Sequence, residues 1–409
     1  MAVPTPKVEI GFELTDSGTG PYLRLDDPVA GRLDDPNWVL GGDVLVDVTD
    51  RVRSISIARG KNRELDTFEA GLANVVFNNQ DRAFDPEFTA SPFFGQIVPR
   101  RTIRISSAGQ FLFYGVIDDW NLNYDPNNDN TASAACSDAF GFFNSQTLTG
   151  GTATAQKTGE RINAILSSAD VEWPVSERNV ETGVQDLGAD VIEDGTNALE
   201  YLRTVAASEP GAFFIGGNGH VVFRDRYATG SSGGVTLTDD GTGIPYFGMK
   251  VVYGSELLYN EIVIGSNLGG TAVALDTDSI GEFGVRNLTQ TNLLMSQPSA
   301  VTDLANWYAQ KYSQPEFRFE EVSVQVDQLT PTQQAAILAL ELGDVVEIRF
   351  TPGNVPPAIV KYGEVIRIDS SIDPINHVVS LGFATTDVAL LVLDDLVFGR
   401  LDRGNALAF

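Results

Sequence analysis

The chain is poor in the residues that most chemistry requires. It holds one cysteine, Cys136, which excludes an internal disulfide. It holds two histidines, His220 and His377. Two His and one Cys nearly exclude a zinc site built on those ligands. No G-x-x-x-x-G-K-[ST] loop occurs, so a phosphate-cradling P-loop is excluded. Positive charge is scarce: Lys+Arg is 27 against 55 Asp+Glu, a net charge of −28. Such a chain repels phosphate and is not expected to bind nucleic acid over a broad face. No run of about 18 apolar residues occurs, so no membrane-spanning helix is expected. The opening residues, Met1 to Leu14, lack an apolar core of the signal-peptide kind, so host secretion is not expected. Tryptophan is sparse as well: Trp38, Trp120, Trp173 and Trp307.

What is present describes a globular protein. Hydrophobic residues make up 43% of 409 residues, enough for roughly two to four domains with buried cores. The acidity has two readings: solubility, or a surface that nucleic acid passes without sticking. Residues 1–150 alternate with period two at Val8–Leu14, Val44–Val48, Ser54–Ile57, Asn74–Phe77, Thr102–Ile105 and Phe111–Tyr114. Gly, Asp, Asn and Pro punctuate the gaps, and Asp125–Asn130 reads as a polar loop. Many short strands argue for a barrel or sandwich. Beyond Gly150 the texture changes. Helices are expected over 156–168 and 195–208, followed by a hairpin of Ala212–Ile215 and His220–Arg224. Thr229–Gly234 reads as a Gly/Ser loop. Residues 249–295 read as β, with Asn260–Ile264 the clearest strand. A helix over 299–312 carries Val301, Leu304, Ala305, Tyr308 and Tyr312 on one face. Another starts at Thr330 as N-cap, with Pro331 at its first position, and stops at Gly343. Strands at 344–348, 363–368 and 378–381 close the pattern.

Apparent catalytic motifs fail on context. Gly230-Ser231-Ser232-Gly233-Gly234 matches G-x-S-x-G, but an elbow needs a strand before it and a helix after it. Gly216-Gly217-Asn218-Gly219 sits in a hairpin and reads as a turn. Asp125–Asn130 lacks the glycine and glutamate of a calcium loop. Adjacent carboxylates such as Asp118 and Asp119, or Glu320 and Glu321, point to opposite faces of a strand and cannot flank one glycosidic bond. Each histidine begins an expected strand beside apolar residues and reads as structural. No catalytic residue, metal site or cofactor is expected.

One motif is written twice. Leu25-Asp26-Asp27-Pro28-Val29-Ala30-Gly31-Arg32-Leu33-Asp34-Asp35-Pro36-Asn37 is matched by Leu393-Asp394-Asp395-Leu396-Val397-Phe398-Gly399-Arg400-Leu401-Asp402-Arg403-Gly404-Asn405, nine of thirteen positions agreeing. The period is far too long for a solenoid. The copies read as two equivalent subunit-docking segments. The residues that carry this are Leu25, Asp26, Asp27, Gly31, Arg32, Leu33, Asp34 and Asn37, with Trp38 beside them, and Leu393, Asp394, Asp395, Gly399, Arg400, Leu401, Asp402 and Asn405. Three other readings stand beside it: turn-rich surface hairpins, a cation site on Asp26, Asp27, Asp34 and Asp35, and an arm that adds to a neighbour's sheet edge.

The segments Gly71–Pro86 and Ser91–Arg101, with Leu112–Ile117, resemble the N-terminal β domain of tail hub proteins of long-tailed bacteriophages, often labelled minor tail proteins in phages of actinobacteria. The helix and hairpin at 195–226, Ser279–Arg286, and Leu342–Val346 fit the same order; residues 171–193 do not. The resemblance implies a mainly β fold with an α+β middle: two tail-tube-like β-barrel domains flanking smaller α+β domains. The expected division is 1–150, 151–248, 249–315, 316–387 and an acidic-motif tail at 388–409. It also implies a homotrimer whose six barrels form one ring at the tail tip. That ring would meet distal-tail or tail-tube protein above, tip or fibre protein below, and the tape-measure protein. DNA would pass through it without specific binding. A receptor- or carbohydrate-binding adhesin, with Trp38 as its best contact, and a tail-associated cell-wall hydrolase are the alternative readings.

Overall fold

A computed structural model describes residues 4–12, 44–226 and 232–386. The fold is mainly β with an α+β middle, as expected. Seven strands open the chain: β1 (Pro6–Phe12), β2 (Val44–Asp47), β3 (Val52–Gly60), β4 (Glu69–Asn78), β5 (Thr102–Ser107), β6 (Gln110–Asn123) and β7 (Thr131–Ser137). Alternation in the sequence becomes alternation in burial. In β4, Ala73, Val75 and Phe77 face the core while Leu72 and Asn74 face out.

The last β region repeats the first. Strands Gly248–Gly254, Glu316–Gln325, Val345–Phe350, Ile359–Asp373 and Asn376–Thr386 follow one another as β3 to β7 do. Each set pairs antiparallel in one scheme: first with second, second with fifth, fifth with fourth, fourth with third. The match extends to irregularities. The ladder of β6 on β7 shifts register between Ile117 and Asp119, and that of Ile359–Asp373 on Asn376–Thr386 shifts between Val365 and Arg367. Ile117 exchanges backbone bonds with Arg100 and Arg101, as Val365 does with Gly343 and Asp344. Arg100 and Gly343 both have positive φ, 71° and 84°. The sequences align without a gap over Tyr114–Asn128 and Tyr362–Asn376, sharing Tyr114/Tyr362, Gly115/Gly363, Asp125/Asp373, Pro126/Pro374 and Asn128/Asn376.

The two units are fused. Strand Ile359–Asp373 pairs by its first half with Val345–Phe350 and by its second half with β3, Arg367–Ile372 lying opposite Ile55–Gly60. The result is one 14-stranded ladder that does not close on itself among the described residues. Two tail-tube-like β-barrel domains were expected; this shared strand joins the two β units edge to edge. β1 and β2 extend the first unit, and Ser232–Thr238 lies parallel on Val345–Phe350 in the second.

Helices fill the middle. α1 (Ala139–Ser145), α2 (Thr158–Leu166) and α3 (Ala198–Ala207) pack beside the hairpin Ala212–Ile215 and Val221–Arg224. α4 (Thr277–Phe283) and α5 (Pro298–Tyr312) belong to an insertion between the first two strands of the second unit. There α5 covers one face of a three-stranded sheet through the expected stripe, Val301, Leu304, Ala305, Tyr308 and Tyr312. α6 (Pro331–Leu338) starts on the expected Thr330 cap, whose hydroxyl accepts from Gln333 N. It ends earlier than expected: Gly343, with φ 84°, belongs to the turn that feeds the next strand. The Gly/Ser segment is likewise a strand from Ser232 onward, because Val345 offers it a parallel partner. α1 and α4 were not expected. Both are short, seven residues each, and start on an aspartate cap, Asp138 and Asp276, rather than showing a readable apolar period. Among the described residues no helix is long and apolar enough to cross a membrane.

Gly60 sits where the units fuse, with φ +114° and room for no side chain: a Cβ would lie 2.2 Å from Ile366 O. Gly60→Val is expected to destabilise the chain by ~3 kcal/mol or more. Gly109→Ala, in an open turn, is expected to cost only about 1 kcal/mol. Urea midpoints for the two variants check this.

Candidate assembly surfaces

Every residue expected to dock lies outside the described residues: Leu25 to Asn37, Trp38, and Leu393 to Asn405. Their attachment points are described. Phe12 and Val44 face each other in the β1–β2 ladder, so the chain leaves and re-enters the sheet at one place around the first copy. The second copy follows Asn376–Thr386, whose Thr386 lies opposite Tyr362. The two preceding strands are alike: Val8, Ile10 and Phe12 are buried in one, Val379, Leu381 and Phe383 in the other, with Gly11 and Gly382 between. They are not equivalent in the repeated unit, since β1 lies outside it.

A polar junction locks four segments together, and nothing in the sequence announced it. Around a cavity of about 230 Å³ meet the 61–68 loop, the end of α3, α5 and the second unit's Gly343 and Glu364. Lys311 Nζ lies 2.5 Å from Glu64 Oε1, which also accepts from Tyr312 Oη at 2.8 Å. Lys61 Nζ donates to Glu64 O at 2.6 Å and lies 4.8 Å over the Phe68 ring. Burial lowers the Lys61 pKa and raises that of Glu364; each charge partly offsets the other. Arg203 donates to Phe68 O at 2.7 Å. Nearby, Arg59 pairs with Glu341 at 2.8 Å, and Glu341 accepts from Gly217 N. Asp138 accepts from Gly71 N and Phe140 N, and burial pushes its carboxyl up to about 7. These groups hold one another across the units; such a network fixes geometry more than it adds net stability.

Burial pushes the Cys136 thiol up, so it is no nucleophile at neutral pH. His220 lies in the hairpin turn closed by Gly216 N donating to His220 O. No group of three or more metal-ligating side chains occurs among the described residues.

The repeat exposes two strand edges that sequence reading missed. Beyond the bulge, Asp119–Asn123 of β6 pairs with β7 on one side and with no described strand on the other. Among the described residues Gly248–Gly254 pairs with Glu316–Gln325 alone. The spaced Tyr-Gly and Asp-Pro pairs were the signal that could have revealed the repeat, and with it these edges.

No family model and no curated protein matches the sequence. Its fold does match solved structures. The chain is similar to a tail protein from Neisseria meningitidis MC58 over 93% of this chain and 97% of that one, with TM-score 0.59 and 12% identity. It is similar to the 43 kDa tail protein of prophage MuSo2 from Shewanella oneidensis over 84% and 96%, with TM-score 0.57 and 14% identity. The chain therefore has the fold of these tail proteins over nearly its whole length.

His377 makes the stability of the folded chain depend on pH. It is fully buried, neither ring nitrogen has a hydrogen-bond partner among the described residues, and burial lowers its pKa to about 4. Unfolded, it titrates near 6.5. Between those values the unfolded chain takes up a proton that the folded chain refuses. Stability is fully kept above pH 6.5 and falls as pH drops toward 4, by up to ~3 kcal/mol. The difference in unfolding free energy between His377→Leu and the unmodified chain, followed from pH 7 to 4, should shift in favour of the variant by that order.

Proposed function

We propose that this chain is a non-catalytic structural protein of a phage tail, and within the tail a hub that forms a ring at the tip. The observation that carries this reading is the repeat: one chain supplies two copies of a single β unit, joined side by side, on a fold shared with tail proteins. Three chains would supply six units, matching six-fold tail-tube or distal-tail protein on one face and a three-fold tip or fibre on the other. The tape-measure protein is a further neighbour on this reading. The net charge of −28 suits a passage through which DNA slides without binding.

Within this reading the two acidic segments dock on repeated partners. Leu25–Asn37 with Trp38, and Leu393–Asn405, are the proposed contacts. They follow strands of one burial pattern. Deletion of residues 388–409 is expected to leave a folded chain, with an unchanged thermal transition, that fails to enter tails. Normal incorporation of the shortened chain into particles would remove the docking role.

A further inference from the structure

Inside the chain, one junction is filled: Arg367–Ile372 against Ile55–Gly60. The repeat supplies a counterpart for each side. Ile117 and Val365 precede the matching bulges, so Asp119–Tyr124 corresponds to Arg367–Ile372. Ile55 faces Val75, which faces Ala134; Met249 faces Val322, which faces Leu381. Met249–Gly254 therefore corresponds to Ile55–Gly60. Both counterparts are the edges left without a described strand. We propose that Asp119–Tyr124 of one copy of this chain pairs, antiparallel, with Met249–Gly254 of a second copy.

The side chains agree with the backbone. In the filled junction the row Ile368, Ser370, Ile372 lies against Arg59, Ile57, Ile55, all buried. Carried over, Trp120 meets Tyr253, Leu122 meets Val251, and Tyr124 meets Met249. This is an apolar row whose members are now half-buried or exposed, Tyr124 at 53% and Tyr253 at 70%. The opposite face would carry Asp119, Asn121 and Asn123 beside Lys250, Val252 and Gly254. Soluble monomers seldom leave long edges with apolar rows uncovered. The terminal strands of the ladder, Val44–Asp47 and Ile244–Pro245, are only four and two residues long. The contact joins the first unit of one chain to the second unit of the next. It is therefore head-to-tail and repeats around a ring in which the two kinds of unit alternate.

This pairing rests on the ring reading, and its test separates the two. Tails assembled from chains carrying Asn121→Cys with Val252→Cys are oxidised and run on a non-reducing gel. The native Cys136 is buried and stays silent. The expected result is covalent multimers of the chain, absent for Asn121→Cys with Tyr253→Cys, where the cysteines face opposite sides. Hydrogen exchange on the unmodified chain decides the matter even if the variants assemble poorly. The amides of 119–124 and 249–254 that point away from β7 and from Glu316–Gln325 should be fast in the purified monomer and at least tenfold slower in tails. Several copies per tail with neither cross-link nor protection overturns the pairing and leaves the ring. Slow exchange of those outward amides already in the monomer also overturns it. A single copy per tail overturns the pairing and the ring together.

Discussion

Strand Ile359–Asp373 is hydrogen-bonded to three partners: Val345–Phe350 and β3 along one edge, Asn376–Thr386 along the other. A single strand can serve two neighbours on one edge only if its length exceeds both and its twist is interrupted between them. The bulge between Val365 and Arg367 provides that interruption. Gly60, where β3 ends against Arg367, lets the backbones approach. Without this pairing the two β units would be held by side-chain contacts such as Arg59 with Glu341. With it, the angle between them is set by sheet geometry. That angle is the one quantity a ring of such units needs to have fixed.

The buried charges serve the same end. Arg59, Arg101 and Arg161 are almost wholly buried, and Arg59 and Arg161 bridge segments far apart in sequence. A buried guanidinium must find several acceptors in fixed directions, so it tolerates one arrangement of its surroundings and penalises others. There is also a consequence for the outside. With only 27 cationic residues against 55 acidic ones, each cation turned inward leaves the surface more negative than composition alone conveys. The interior is thus held together partly by the charges that the surface lacks.

Much of the fold was legible from local rules. Period-two alternation located β1 to β6 but not β7, the apolar stripe located α5, and Thr330-Pro331 located the start of α6, because each of these depends on neighbours a few residues away. The junctions were not legible. Arg59 and Glu341 meet across nearly the whole fold, and no spacing encodes that. Ser232–Gly234, the end of the Thr229–Gly234 stretch that reads as a loop, opens a strand whose partner, Val345–Phe350, is supplied from elsewhere in the chain. α1 and α4 are too short to show a period. The acidic copies were found in the sequence, but they lie outside the described residues, whereas the repeat that the structure displays was present as Tyr114-Gly115 and Asp125-Pro126 against Tyr362-Gly363 and Asp373-Pro374. Its spacing was readable; its meaning required the ladder.

The central claim is that two copies of one unit in each chain alternate around a common axis. A cryo-EM reconstruction of the assembled tail, refined without imposed symmetry, tests it most directly. The account predicts a ring of three chains in which six β units stand at nearly equal angles, first and second units alternating. Six chains in a ring, a single copy on the axis, or first units gathered apart from second units would contradict it.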